Sequence, residues 1–123
     1  MAKVAKVRTK FEWFQEGKNQ FYDFEVGIVL EGKLYGDSQN KNRAAAIYDS
    51  SSKLVIFDKT DFVVVSHECI HMTIDFFRRL DFSFDYLFNQ ENVLMEELFI
   101  STYERILDSV KHALRFLKKS NHE

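Results

Sequence analysis

The sequence predicts an α+β fold: a small N-terminal sheet, antiparallel or mixed, packed on a central helix and a long C-terminal helix. Three observations lead to it. Apolar residues alternate with polar ones through much of the first half, and all four glycines (Gly17, Gly27, Gly32, Gly36) lie there. From Asp58 to Leu80 no glycine or proline interrupts a largely apolar run. From about Asn92 to Lys119 apolar residues recur at helical spacing.

The elements follow in order. KVAKVRTKFEWF alternates only in part but has β-like surroundings, and its spaced basic residues suit a solvated strand face. FYDFEVGIVL alternates better, with Phe24, Val26, Ile28 and Leu30 on one side. GDSQNKNR, residues 36–43, is polar and turn-rich and reads as a loop. AAAIYD and KLVIFD, separated by three serines, read as a hairpin. Residues 1–58 are therefore mainly strands.

A helix over about 60–80 comes next, with Thr60 or Asp61 as N-cap and Arg78 and Arg79 at its C-terminus. The run Val63-Val64-Val65 would tolerate a strand instead. As a helix the segment is apolar nearly all round, which predicts protein on at least two sides and a place between the sheet and the second helix. DFSFDYLFNQEN is an aromatic loop. The last helix, 92–119, carries a stripe of Met95, Phe99, Tyr103 or Thr102, Ile106, Val110, Ala113 and Leu117. At 123 residues the chain makes one domain with one core.

Composition narrows the function classes. A formal charge of −2, with no basic block, argues against nucleic acid as partner. A single cysteine excludes an internal disulfide framework. MAKVAKVRTK has no apolar signal core, and no apolar run reaches membrane-spanning length. The expectation is a cytoplasmic protein without membrane association.

The chemistry concentrates in VSHECIH, residues 65–71, where His67, Glu68 and His71 spell H-E-x-x-H. On a helix, residues i and i+4 share a face one turn apart, so both imidazoles can meet one metal ion. Glu68 projects beside that ion, placed to take a proton from a bound water as general base. Cys69, about 200° round from His67, faces away and reads as a buried thiol. A core helix with a chance motif would have to place two histidines and a glutamate on one side of an apolar helix, where unpaired polar groups are costly.

Zinc takes a third protein ligand. The extended motif with a further histidine is absent: Ile74 stands at its glycine position and Phe77 at its histidine position. MEEL, at the start of the last helix, offers Glu96 and Glu97. Helical periodicity favours Glu96, nearer the apolar stripe; first-turn acids also occur simply because of the helix dipole. Failing these, Asp81, Asp85 and Glu91 are the nearest carboxylates. Asp75, one turn past His71, suits a solvated position better than one orienting an imidazole. Tyr103 could polarise a substrate carbonyl but reads first as core, and His112 and His122 as surface. Phe76, Phe77, Phe82, Phe84 and Phe88 read as packing, part of which could line a pocket.

Ser66-His67-Glu68-Cys69-Ile70-His71 followed by Glu97-Leu98-Phe99-Ile100-Ser101 resembles the compact zincin-like metallopeptidase proteins encoded by tailed bacteriophages. In these, S/A-H-E-x-x-H is followed by an E-x-F-A-Y-like helix. The resemblance covers roughly residues 44–110, and Ile100 and Ser101 depart from its second motif. It implies a zinc-dependent, peptidase-like hydrolase of gluzincin type, with His67, His71 and a glutamate as ligands, Glu97 holding the motif position. A peptide or protein substrate and the cytoplasm of an infected bacterial host follow from it. The alternative is a binding or inhibitor protein, directed at a host protein, that keeps the fold without turnover. The chain's shortness supports that alternative, since little of it is left to clamp a peptide.

Overall fold

The computed structural model describes residues 2–15, 18–35, 43–79 and 93–121. Among these residues lie four strands and two helices: β1 (Lys3–Gln15), β2 (Lys18–Glu31), β3 (Ala46–Asp49), β4 (Leu54–Phe57), α1 (Phe62–Arg79) and α2 (Val93–Ser120). The fold is α+β, with a mixed sheet in the order β1-β2-β4-β3. β1 pairs antiparallel with β2 from Lys3↔Glu31 to Gln15↔Lys18. β4 runs parallel to β2, and β3 returns antiparallel to β4 at the edge.

Alternation decides which face of the hairpin is buried. Phe11, Tyr22, Phe24, Val26 and Ile28 point into the core, while Lys6, Arg8, Lys10 and Asp23 are exposed on the other face. Arg8 and Glu25, opposite each other in register, form an ion pair at 3.5 Å; exposed pairs of this kind add about 0–1 kcal/mol. Gly27 lies on the outer face beneath Val4. A Cβ there would come within 2.9 Å of Val4 Cγ1 and 3.3 Å of the Ala5 carbonyl oxygen, so glycine allows the two strands to close. The β3–β4 turn is made by Asp49, whose carboxylate accepts from both the N–H and the hydroxyl of Ser51.

Asp61 is the N-cap of α1, its carboxylate accepting from Val64 N–H at 3.2 Å and its carbonyl from Val65 N–H at 3.0 Å. The valine run is helical despite its β-branching. Val65 begins a buried series with Cys69, Met72 and Phe76 at helical spacing, and packing outweighs local propensity. Along α2, Thr102, Ile106, Val110, Ala113, Leu114 and Leu117 are buried. Thr102 rather than Tyr103 takes the fully buried position, its hydroxyl satisfied by the Leu98 carbonyl at 2.7 Å.

Both helices lie on one face of the sheet, α2 over β1 and β2 and α1 beside β3. They sit side by side, so α1 is flanked by α2 rather than sandwiched between α2 and the sheet. They run antiparallel: Thr60 and Phe62, at the start of α1, meet Lys118 and Lys111, while Phe77 near its end stacks on Phe99. Phe24, Val55, Phe57, Met72, Phe77, Ile106 and Val110 fill the space between the layers, each contributing on the order of 1.5–3 kcal/mol of burial. The remaining face of α1 is open, with Phe62, Val63 and Ile70 exposed.

Candidate metal centre

His67 and His71 stand on that open face. Their Nε2 atoms are 3.1 Å apart and their rings meet edge to face, centroids 4.8 Å apart. Two nitrogens bound to one tetrahedral zinc would be separated by roughly 3.3 Å, close to the spacing of this pair. In this arrangement one ring's N–H donates to the lone pair of the other.

Glu68 is turned toward β3 and is only 8% exposed. Among the described residues no side chain hydrogen-bonds or pairs with its carboxylate. It sits where two depressions along the α1–β3 seam join. One, of about 590 Å³, is bordered by Ala46, Tyr48, Ser50, His71, Asp75 and Arg78. The other, of about 280 Å³, is bordered by Ala45, Ala46, Val63, Val64 and His67. Together they form a trough whose floor carries a buried carboxylate and whose rim carries the histidine pair. Its far wall is the edge strand β3, and among the described residues no strand pairs with β3's outer side.

A polar chain closes the trough's lower end. Tyr48 donates to Asp75 Oδ2 at 2.6 Å, and Arg79 Nε donates to the same oxygen at 3.0 Å. With the Tyr48 proton so committed, the Tyr22 hydroxyl, 3.0 Å away, donates to Tyr48. Arg79 also reaches the Ser50 carbonyl. Asp75 is thus neither a freely solvated helix residue nor an imidazole partner. It ties α1 to the β3–β4 hairpin. Burial, together with the hydrogen bond to Asp75, holds the Tyr48 phenol well above the ordinary tyrosine range; burial raises Tyr22 as well. The alternation in AIYD places Tyr48 on the inward face with Ala46, but only the tertiary fold sets it against Asp75.

Other expected residues fall as follows. Cys69 is fully buried, and burial, reinforced by the Glu68 carboxylate, pushes its thiol up to about 12. Tyr103 is half-buried on the α2 side of α1, its phenol raised by desolvation and by nearby Cys69, so it does not enter the trough. His112 is exposed, 3.6 Å from Asp108. Phe76 and Phe77 are core. Asp81, Phe82, Phe84, Asp85, Phe88, Glu91 and His122 lie outside the described residues.

Glu96 and Glu97 are exposed on the first turn of α2. The antiparallel packing sets that turn level with the end of α1, beyond Phe77, whereas the histidines lie within its first ten residues and face β3. Among the described residues, no three His, Cys, Asp or Glu side chains are grouped to hold a metal. The structure brings together His67, His71 and Glu68, and does not bring Glu96 or Glu97 to them.

Comparison of the chain with family models, with curated proteins and with solved structures finds no match. No helix of the described residues is long and apolar enough to cross a membrane.

Proposed function

We propose that this protein is a small zinc-dependent hydrolase, peptidase-like, whose centre is the His67–His71 pair with Glu68 beside it. The observation that carries the reading is the 3.1 Å separation of the two Nε2 atoms beside a buried glutamate that has no side-chain partner among the described residues. His67 and His71 would hold a zinc ion as a two-nitrogen chelate at the rim of the β3 trough. When bound, zinc supplies Lewis acidity and lowers the pKa of a water molecule.

The chain's own residues do the rest. Glu68, shielded from solvent, accepts the proton of the attacking water and returns it to the leaving amine. The outer edge of β3, which no strand pairs among the described residues, offers backbone N–H and C=O groups to an extended peptide, which can lie along the trough as an added strand. Such a protein fits the phage-encoded metallopeptidase-like proteins that its motifs resemble, acting in the cytoplasm of an infected cell. The second reading is a metal-dependent binding protein without turnover, directed at a host protein. It is favoured by one observation, that two rather than three protein ligands meet among the described residues.

Protein purified without a metal-affinity column is assayed for bound zinc and for cleavage of a mixed peptide library by mass spectrometry. The hydrolase reading expects about one zinc per chain, cleavage in wild type, and no cleavage in Glu68→Gln with zinc retained. Zinc without cleavage in either protein selects the binding reading. Absence of zinc binding at micromolar concentrations overturns both.

A further inference from the structure

The side of α1 away from the trough carries a second, unrelated surface. Around the start of α1 and the end of α2 lies a groove of about 230 Å³ with an apolar floor of Phe62, Val65 and Leu114. Its rim is Lys111, Arg115 and Lys118. Lys111 lies over the Phe62 ring at 5.6 Å and Lys118 donates to the Thr60 hydroxyl. Among the described residues none of the three cations meets a carboxylate.

The complement of this groove lies on the same helix. Ile100 is 40% exposed, and Glu96 and Glu104, one turn to either side, are exposed and unpaired among the described residues. At about 100° per residue, Glu96, Ile100, Glu104, Lys111, Arg115 and Lys118 fall within a sector of about 100°. One face of α2 therefore carries an acid–apolar–acid knob in its first half and a cation-rimmed apolar groove in its second.

From this we infer that two copies of the chain associate through antiparallel pairing of α2. Setting Ile100 opposite Arg115 of a second copy also sets Glu104 opposite Lys111 and brings the turn of Glu96 and Glu97 opposite Lys118. The two-fold axis then passes between Leu107 and Asp108, and every contact occurs twice, as an isologous interface requires. Parallel pairing would oppose like charges. The Ile100 side chains enter the grooves, where the apolar floor supplies affinity and the ion pairs supply register. The trough at His67 and His71 lies on the opposite flank of α1 and stays open in the dimer.

Molar mass by sedimentation equilibrium, with EDTA present to exclude metal-bridged association, tests the inference. The expected species is twice the 14.6 kDa chain, weakening as salt rises. Glu104→Lys should raise the dissociation constant at least about tenfold, and adding Lys111→Glu in the same chain should return it to within about threefold of wild type. Circular dichroism confirms that each variant stays folded, both positions lying outside the core. A monomer at about 100 μM, a dimer indifferent to Glu104→Lys, or no recovery in the double variant overturns the antiparallel interface.

Discussion

Tyr48 and Asp75, 27 positions apart, are joined by a hydrogen bond of 2.6 Å from phenol to carboxylate. The bond joins the edge strand to the helix that carries the histidine pair, so the trough's width depends on it. Tyr48→Phe removes the donor to Asp75 and the acceptor for Tyr22. A hydrogen bond to a charged group contributes about 1.5–3 kcal/mol. With Arg79 still compensating Asp75, the expected loss lies at the lower end, about 1–2 kcal/mol in urea unfolding. A double-mutant cycle with Asp75→Asn should show coupling between the two positions; strict additivity would mean that the bond does not form in solution.

Zinc binding should depend on both histidines. His67→Ala and His71→Ala are each expected to weaken zinc by at least about tenfold in isothermal titration, because a single imidazole loses the chelate. Both histidines belong to α1, so a zinc ion held by them alone would cross-link no second element. Stabilisation should follow mass action alone, about 2.7 kcal/mol at a hundredfold excess over the dissociation constant. A melting temperature unmoved by saturating zinc would argue against a site formed only in the native state.

Glu96→Ala and Glu97→Ala are expected to leave zinc affinity within about twofold of wild type, since the first turn of α2 lies on the far flank of α1. A tenfold loss in either variant would require that turn to approach the histidines, and would assign the third ligand to the residue that caused it.

Stability should fall on the alkaline side. A folded-state pKa raised above the unfolded value contributes stability that is complete below the unfolded pKa and lost as pH rises toward the folded one. For Cys69 that window opens near 9.0 and extends to about 12. For Tyr22 and Tyr48 it opens near 10.0. Urea midpoints should therefore decline from about pH 9 in wild type, and from about pH 10 in Cys69→Ala once its lower baseline is subtracted. An identical onset in both would remove Cys69 as the cause. The same burial predicts that an aromatic disulfide reagent titrates Cys69 at pH 8 only after unfolding.

Much was legible in the chain itself. Alternation placed Phe24, Val26 and Ile28 on one face of the sheet because a strand's period of two admits no other reading. The absence of glycine and proline, with Asp61 ahead of the run and two arginines behind it, bounded α1 to within a residue or two. The i, i+4 spacing brought His67 and His71 together, since helix geometry alone decides that contact. Cys69 was likewise assigned to the interior by its rotation from His67.

What crosses from one element to another was decided by tertiary structure. Periodicity and motif position offered Glu96 and Glu97 as partners for the histidines. The antiparallel lie of α2 instead carried that turn past Phe77, because burying Ile106, Val110 and Leu117 on the sheet governs the helix's placement. Asp75 looked solvated because nothing local to it predicts a tyrosine. Only the β3–β4 hairpin, folding against α1, brings Tyr48 to its carboxylate. Local periodicity specifies which face a residue occupies, but the partner on that face follows from how the layers pack, and no single segment encodes it.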